Sequence, residues 1–131
     1  MEQLINKPFI EEICKNEIKD FLLELVQKEL DGIPKEKFCR RKELCEAILQ
    51  ANNPTGIRAN IRDSAMEIIK SWKMKPDQII GLESLGFTVT KGRTHFKIRR
   101  QNSAYFQALS ATPSDNRSGI NCAFDFKGTF F

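Results

Sequence analysis

The sequence predicts an α+β fold: an N-terminal helical part of about three helices, then an α-β-β-β-α unit with a three-stranded antiparallel sheet. Three observations carry this. Apolar residues recur at three- and four-residue spacing as far as Trp72, and change to alternation after Gly86. Turn-forming pairs separate the segments, among them Asp31-Gly32, Asn53-Pro54 and Lys91-Gly92. The positive charge is uneven: residues 1–74 carry 13 Lys+Arg and 13 Asp+Glu, residues 75–131 carry 8 and 4, so the whole net charge of +4 lies in the second part. The expected division is a helical region, 1–74, and an α-β-β-β-α unit, 75–131.

A chain of 131 residues suits one domain, or one small domain with a helical appendage. With 40% hydrophobic residues it has material for a core. No apolar run approaches the roughly 20 residues that cross a bilayer, so no membrane partner is expected. The cysteines are Cys14, Cys39, Cys45 and Cys122. The sequence opens without a secretory pattern, and the spacing of Cys39 and Cys45 is not that of a zinc ribbon. Free thiols, a reducing cytoplasm, no metal and no cofactor are therefore expected.

The first helix follows from Asn6 as a cap, Pro8 in the first turn, and Ile10, Ile13, Cys14, Ile18, Phe21, Leu22, Leu25, Val26 and Leu30 along one face. Gly32 and Pro34 stop it. The second helix spans Lys35 to Gln50, with Phe38, Leu44, Cys45, Ile48 and Leu49 as its stripe. Its basic cluster, Lys37, Arg40, Arg41 and Lys42, lies among glutamates that can pair with it. A third helix carries Ile57, Ile61, Ala65, Ile68, Ile69 and Trp72. Its Arg58 and Arg62 are like charges four apart, a mild repulsion that an acidic neighbour or an anionic partner relieves. Trp72 is expected as a core anchor. A short helix from Asp77 to Leu85 ends at Gly86.

Three strands follow: Phe87–Thr90, Thr94–Arg99 and Tyr105–Ser110, with turns at Lys91-Gly92 and at Arg100–Ser103. In the second, Phe96 and Ile98 alternate with Arg93, His95, Lys97 and Arg99. The polar loop Thr112–Gly119 then leads to a last, ragged helix through Ile120, Ala123 and Phe124, which Gly128 and Thr129 should end early. The stretch Lys91–Arg100 holds the only histidine and five Lys or Arg residues. Cations in a row along one strand repel unless they are solvated or faced by phosphate.

The order helix–β–β–β–helix, the phrase Leu82-x-x-Leu85-Gly86-Phe87, and a histidine on the second strand after a Gly-containing turn resemble the HicA-type toxins. Those are small double-stranded-RNA-binding-like domains that act as messenger-RNA interferases. The resemblance covers about 50 residues of the second part. It maps His95 onto the family's catalytic histidine, although the family's Gly-Ser-His phrase is here Arg93-Thr94-His95. The resemblance implies that RNA is a more fitting ligand than DNA.

The candidate nucleic-acid-binding residues are thus Lys91, Arg93, Lys97, Arg99 and Arg100, joined by Arg117 and Asn121 at the start of the last helix. His95 is the candidate general base, with Asp115 as a group that orients it if the loop folds over the sheet. Three functions compete. The first is nucleic-acid binding through the basic strand. The second is an assembly subunit of a bacterial or phage-defence complex, docking a protein partner or a second copy through the N-terminal helices. The third is an RNA-cleaving toxin using His95.

Overall fold

The computed structural model describes residues 6, 8, 10–93, 95–100, 103–110 and 116–131, with only the backbone of 110 and 116–120. Among the described residues, five helices and three strands lie in the order α1 (Glu17–Asp31), α2 (Arg40–Ala51), α3 (Ile57–Lys70), α4 (Pro76–Ser84), β1 (Phe87–Lys91), β2 (His95–Arg100), β3 (Phe106–Ser110) and α5 (Asn116–Phe130). The fold is α+β, as the patterning requires. The chain divides into two compact units, Met1–Arg58 and Ala59–Phe131. The division falls near the start of α3 rather than after residue 74, because Ala65, Ile69 and Trp72 belong to the core of the sheet.

In the first unit, α1 starts later than its apolar spacing suggests. Asn16 takes a left-handed conformation (φ 60°) that interrupts a helix running from Asn6. Two glutamates fix the break. The Ile13 N–H donates to the Glu17 carboxylate at 3.0 Å, and the Ile18 N–H to that of Glu12 at 3.2 Å. The second helix also starts late, at Arg40, after extended backbone at Cys39. Phe38 therefore leaves the predicted stripe and is 94% exposed. The arginines of the basic cluster are paired: Arg40 with Glu43 at 3.5 Å and Arg41 with Glu29 of α1 at 3.0 Å.

Buried Asp20 ties α1 to the segment before α3. Its carboxylate accepts the Thr55 N–H at 2.9 Å and the Thr55 hydroxyl at 2.5 Å. Arg58 is also buried, paired with Glu24 and stacked 5.2 Å over the Phe21 ring. Arg62 donates to the Asp63 carboxylate at 3.1 Å. Glu24 and Asp63 thus relieve the Arg58/Arg62 repulsion, and that pair gives no support to an anionic ligand.

In the second unit, β1–β2–β3 is an antiparallel meander in sequence order. Phe87 pairs with Arg100 and Lys91 with Phe96 across β1 and β2; Phe96 pairs with Leu109 and Arg99 with Phe106 across β2 and β3. Strand alternation sends Phe87, Phe96, Ile98 and Leu109 to one face. There they meet Ala65, Ile69 and Trp72 of the α3 region, Leu82 of α4, and Ala123, Phe126 and Phe130 of α5. Trp72 is the expected anchor, set edge-on to Phe96 with ring centroids 5.6 Å apart. Gln78 secures the turn into α4: its Oε1 accepts the N–H groups of Lys73 (2.8 Å) and Lys75 (3.2 Å), and its Nε2 donates to the Ser71 carbonyl (2.7 Å).

The last helix corrects its expectation most. It runs through Gly128 and Thr129 to Phe130. Poor propensity loses to burial here, since Phe126 and Phe130 are 0% and 6% exposed and fully burying such a ring is worth about 1.5–3 kcal/mol. The Thr129 hydroxyl bonds back to the Asp125 carbonyl at 3.0 Å.

Candidate nucleic-acid interface

The face of the sheet opposite the core is built by alternation. Thr88 and Thr90 of β1, His95, Lys97 and Arg99 of β2, and Phe106 and Ala108 of β3 share it, in the pairings Thr88–Arg99, Thr90–Lys97, Lys97–Ala108 and Arg99–Phe106. His95, Lys97, Thr88, Thr90, Phe106 and Ala108 are exposed, and Arg99 is half-buried. No acidic residue occurs anywhere from Ser84 to Ser114, so the described part of this face holds cations and no carboxylate.

The register separates the predicted site residues. His95, Lys97 and Arg99 stand together as expected. Arg93 does not join them in the strand; it is exposed in the turn, and β2 begins at His95. Lys91 is exposed at the end of β1 in the register of Phe87 and Val89, on the other side of the sheet from Lys97. Both mark the rim. The tight turn between them needs Gly92: its N–H donates to the His95 carbonyl at 2.7 Å, and a Cβ there would lie 2.8 Å from the same oxygen.

Arg100 is a correction. It is the last residue of β2, not part of the turn, and it is 1% exposed. An even-numbered position in this strand faces the core. Its guanidinium donates to the Phe130 carbonyl at 3.0 Å and lies 4.5 Å from the Phe131 ring and 5.7 Å from the Phe87 ring. A cation there satisfies the carbonyl end of α5 and complements its dipole. Arg100 is therefore part of the helix cap and is closed to a ligand.

Asn121 is exposed on α5. Arg117 lies on the same helix, but its side chain falls outside the described residues, as does all of Asp115. The expectation that Asp115 orients His95 thus lies outside the described residues. Among the described residues, no cluster of His, Cys, Asp or Glu is fit to hold a metal. None of their helices is long and apolar enough to cross a membrane.

Phe106 is the feature that sequence reasoning missed. It is 45% exposed in the middle of the cationic face. Lys97 Nζ lies 4.9 Å and the Arg99 guanidinium 5.2 Å from its ring centroid. Tyr105, Gln107 and Leu109 alternate with Phe106 and Ala108, and either set can face a core. Only the pairing of Arg99 with Phe106 decides between them.

Comparison with protein-family models gives no match, and searches of curated proteins and of solved structures give none either.

Proposed function

We propose that this protein binds nucleic acid through the outer face of its sheet, with Lys97 and Arg99 at the centre and Arg93 and Lys91 at the rim. The observation that carries this is the absence of any acidic residue from Ser84 to Ser114, across a face that presents His95, Lys97 and Arg99. Such a face attracts a polyanion, and no carboxylate on it competes with phosphate. RNA is proposed over DNA on the resemblance of residues 77–127 to HicA-type domains. The free thiols of Cys39, Cys45 and Cys122 fit a reducing cytoplasm, and the proposal puts the protein there.

Fluorescence anisotropy with labelled RNA and DNA, titrated with salt, tests the proposal. Binding should weaken steeply as salt rises, and replacing Lys97 and Arg99 together by Ala should shallow the log–log slope by roughly one per cation removed. No binding to any nucleic acid at about 50 mM salt overturns it.

A second reading is favoured by the first unit. Phe38, Leu25, Leu44, Leu22 and Ile48 are 94%, 47%, 48%, 39% and 39% exposed. Apolar exposure on this scale, on α1, α2 and the segment before α2, is what an assembly surface presents. Light scattering reads it: a strict monomer at high concentration that captures no protein partner argues against it.

A further inference from the structure

We infer that the outer sheet face takes a single-stranded nucleic acid, one base of which stacks on Phe106 while Lys97 and Arg99 turn from the ring to the flanking phosphates. This rests on the nucleic-acid reading and specifies its ligand.

Phe106 holds its ring in solvent at 45% exposure, although the other phenylalanines of the sheet, Phe87 and Phe96, are buried at 3% and 5%. Ala108, which follows it on the same side of β3, is small, and the side chains beside it on β2 are Lys97 and Arg99, whose cations lie over the ring. A base reaches the ring as these two long, flexible side chains swing aside to its phosphates.

Charge then selects the occupant. The two cations nearest the ring are Lys97 at 4.9 Å and Arg99 at 5.2 Å, and Arg99 also donates to the Ser103 carbonyl at 3.4 Å. A protein partner with an apolar anchor would fit the ring but would meet Lys97 and Arg99 beside it. A nucleotide carries both complements at once, a π-face for the ring and an anion for the cations. In a duplex the π-faces are stacked on one another and closed to Phe106. An unpaired base is open to stack, and such platforms accept any base.

The experiment compares a labelled single strand of about ten nucleotides with its duplex, against the full chain and two variants. The intact protein should bind the single strand on the order of tenfold more tightly than the duplex. Phe106→Ala should lose on the order of tenfold in single-strand affinity and leave duplex binding within about twofold. Phe106→Trp should keep single-strand affinity, and its added fluorescence should be quenched by the strand and not by the duplex. Circular dichroism and thermal melting confirm that both variants fold.

Equal affinity for strand and duplex, with Phe106→Ala unchanged on either, overturns the stacking inference and leaves the nucleic-acid reading standing. An absence of binding to both overturns the two together.

Discussion

Arg99 and Arg100 are adjacent and do opposite things, because alternation along β2 sends one out and one in. Arg99 is half-buried over the exposed Phe106 ring, whereas Arg100 is 1% exposed against Phe87 and Phe131 and caps the carbonyl of Phe130. Removing Arg100 leaves a cavity and a helix end without that donor. Arg100→Ala should therefore cost about 3 kcal/mol in urea unfolding, while Arg99→Ala should cost less than about 0.5 kcal/mol. Nucleic-acid affinity should move the other way: Arg99→Ala weakens it, and Arg100→Ala leaves it unchanged where the protein is folded. Equal stability of the two variants would refute the cap. Gly92 makes a similar point about backbone. A Cβ there would lie 2.8 Å from the His95 carbonyl oxygen, a main-chain atom with little room to give. Gly92→Ala should open the β1–β2 turn at a cost of about 1–3 kcal/mol, read as a lower urea midpoint.

At the scale of elements, Asp20 joins α1 to the start of α3. It is 2% exposed. Burial pushes its carboxyl upward, but hydrogen bonds from the Thr55 hydroxyl, the Thr55 and Gly56 N–H groups, and the charge of Lys19 outweigh that and hold it below the usual carboxylate range. A depressed folded value means that the unfolded chain binds the proton more readily. The stability Asp20 contributes is thus fully present above the unfolded value of about 3.9 and lost as pH falls through it toward the folded value. Asp20→Asn should lower stability at neutral pH by about 1–2 kcal/mol and should flatten the loss of helicity below about pH 4. An unchanged acid transition in that variant would show that Asp20 does not govern it. No spacing in the sequence points to this contact, since 35 residues separate Asp20 from Thr55. What periodicity does convey is element type: α3, α4 and all three strands lie close to where their patterns put them. The ends of α1 and α5 escape it, because a Glu12/Glu17 break and the burial of Phe126 and Phe130 override local propensity. The candidate site is legible in the same measure. Alternation groups His95, Lys97 and Arg99, but Arg100 and Phe106 need the register of the neighbouring strand before their faces are known.

Across the whole molecule the two units differ in what holds them. The second gathers eleven buried side chains into one cluster, from Ala65 through Phe130. Among the described residues of the first, the buried apolar side chains are Leu23, Ile33 and Cys45. Polar ties, Asp20 to Thr55 and Arg58 to Glu24, add to these. Such ties contribute about 1–3 kcal/mol each at best, whereas a shared core must be lost all at once. Amide hydrogen exchange should therefore separate the units, with α1 and α2 opening more often than β1–β3 and α5. Equal protection in dilute protein would mean that the first unit has more holding it than its own core. Concentration then tests the second functional reading. If Leu22, Leu25, Leu44 and Ile48 dock on a second copy, raising the protein concentration removes them from water and slows exchange in α1 and α2, while the strands keep their rates. If α1 and α2 exchange at the same rate across a hundredfold range, roughly the span over which a micromolar dimer would form, the apolar surface is not a self-association face.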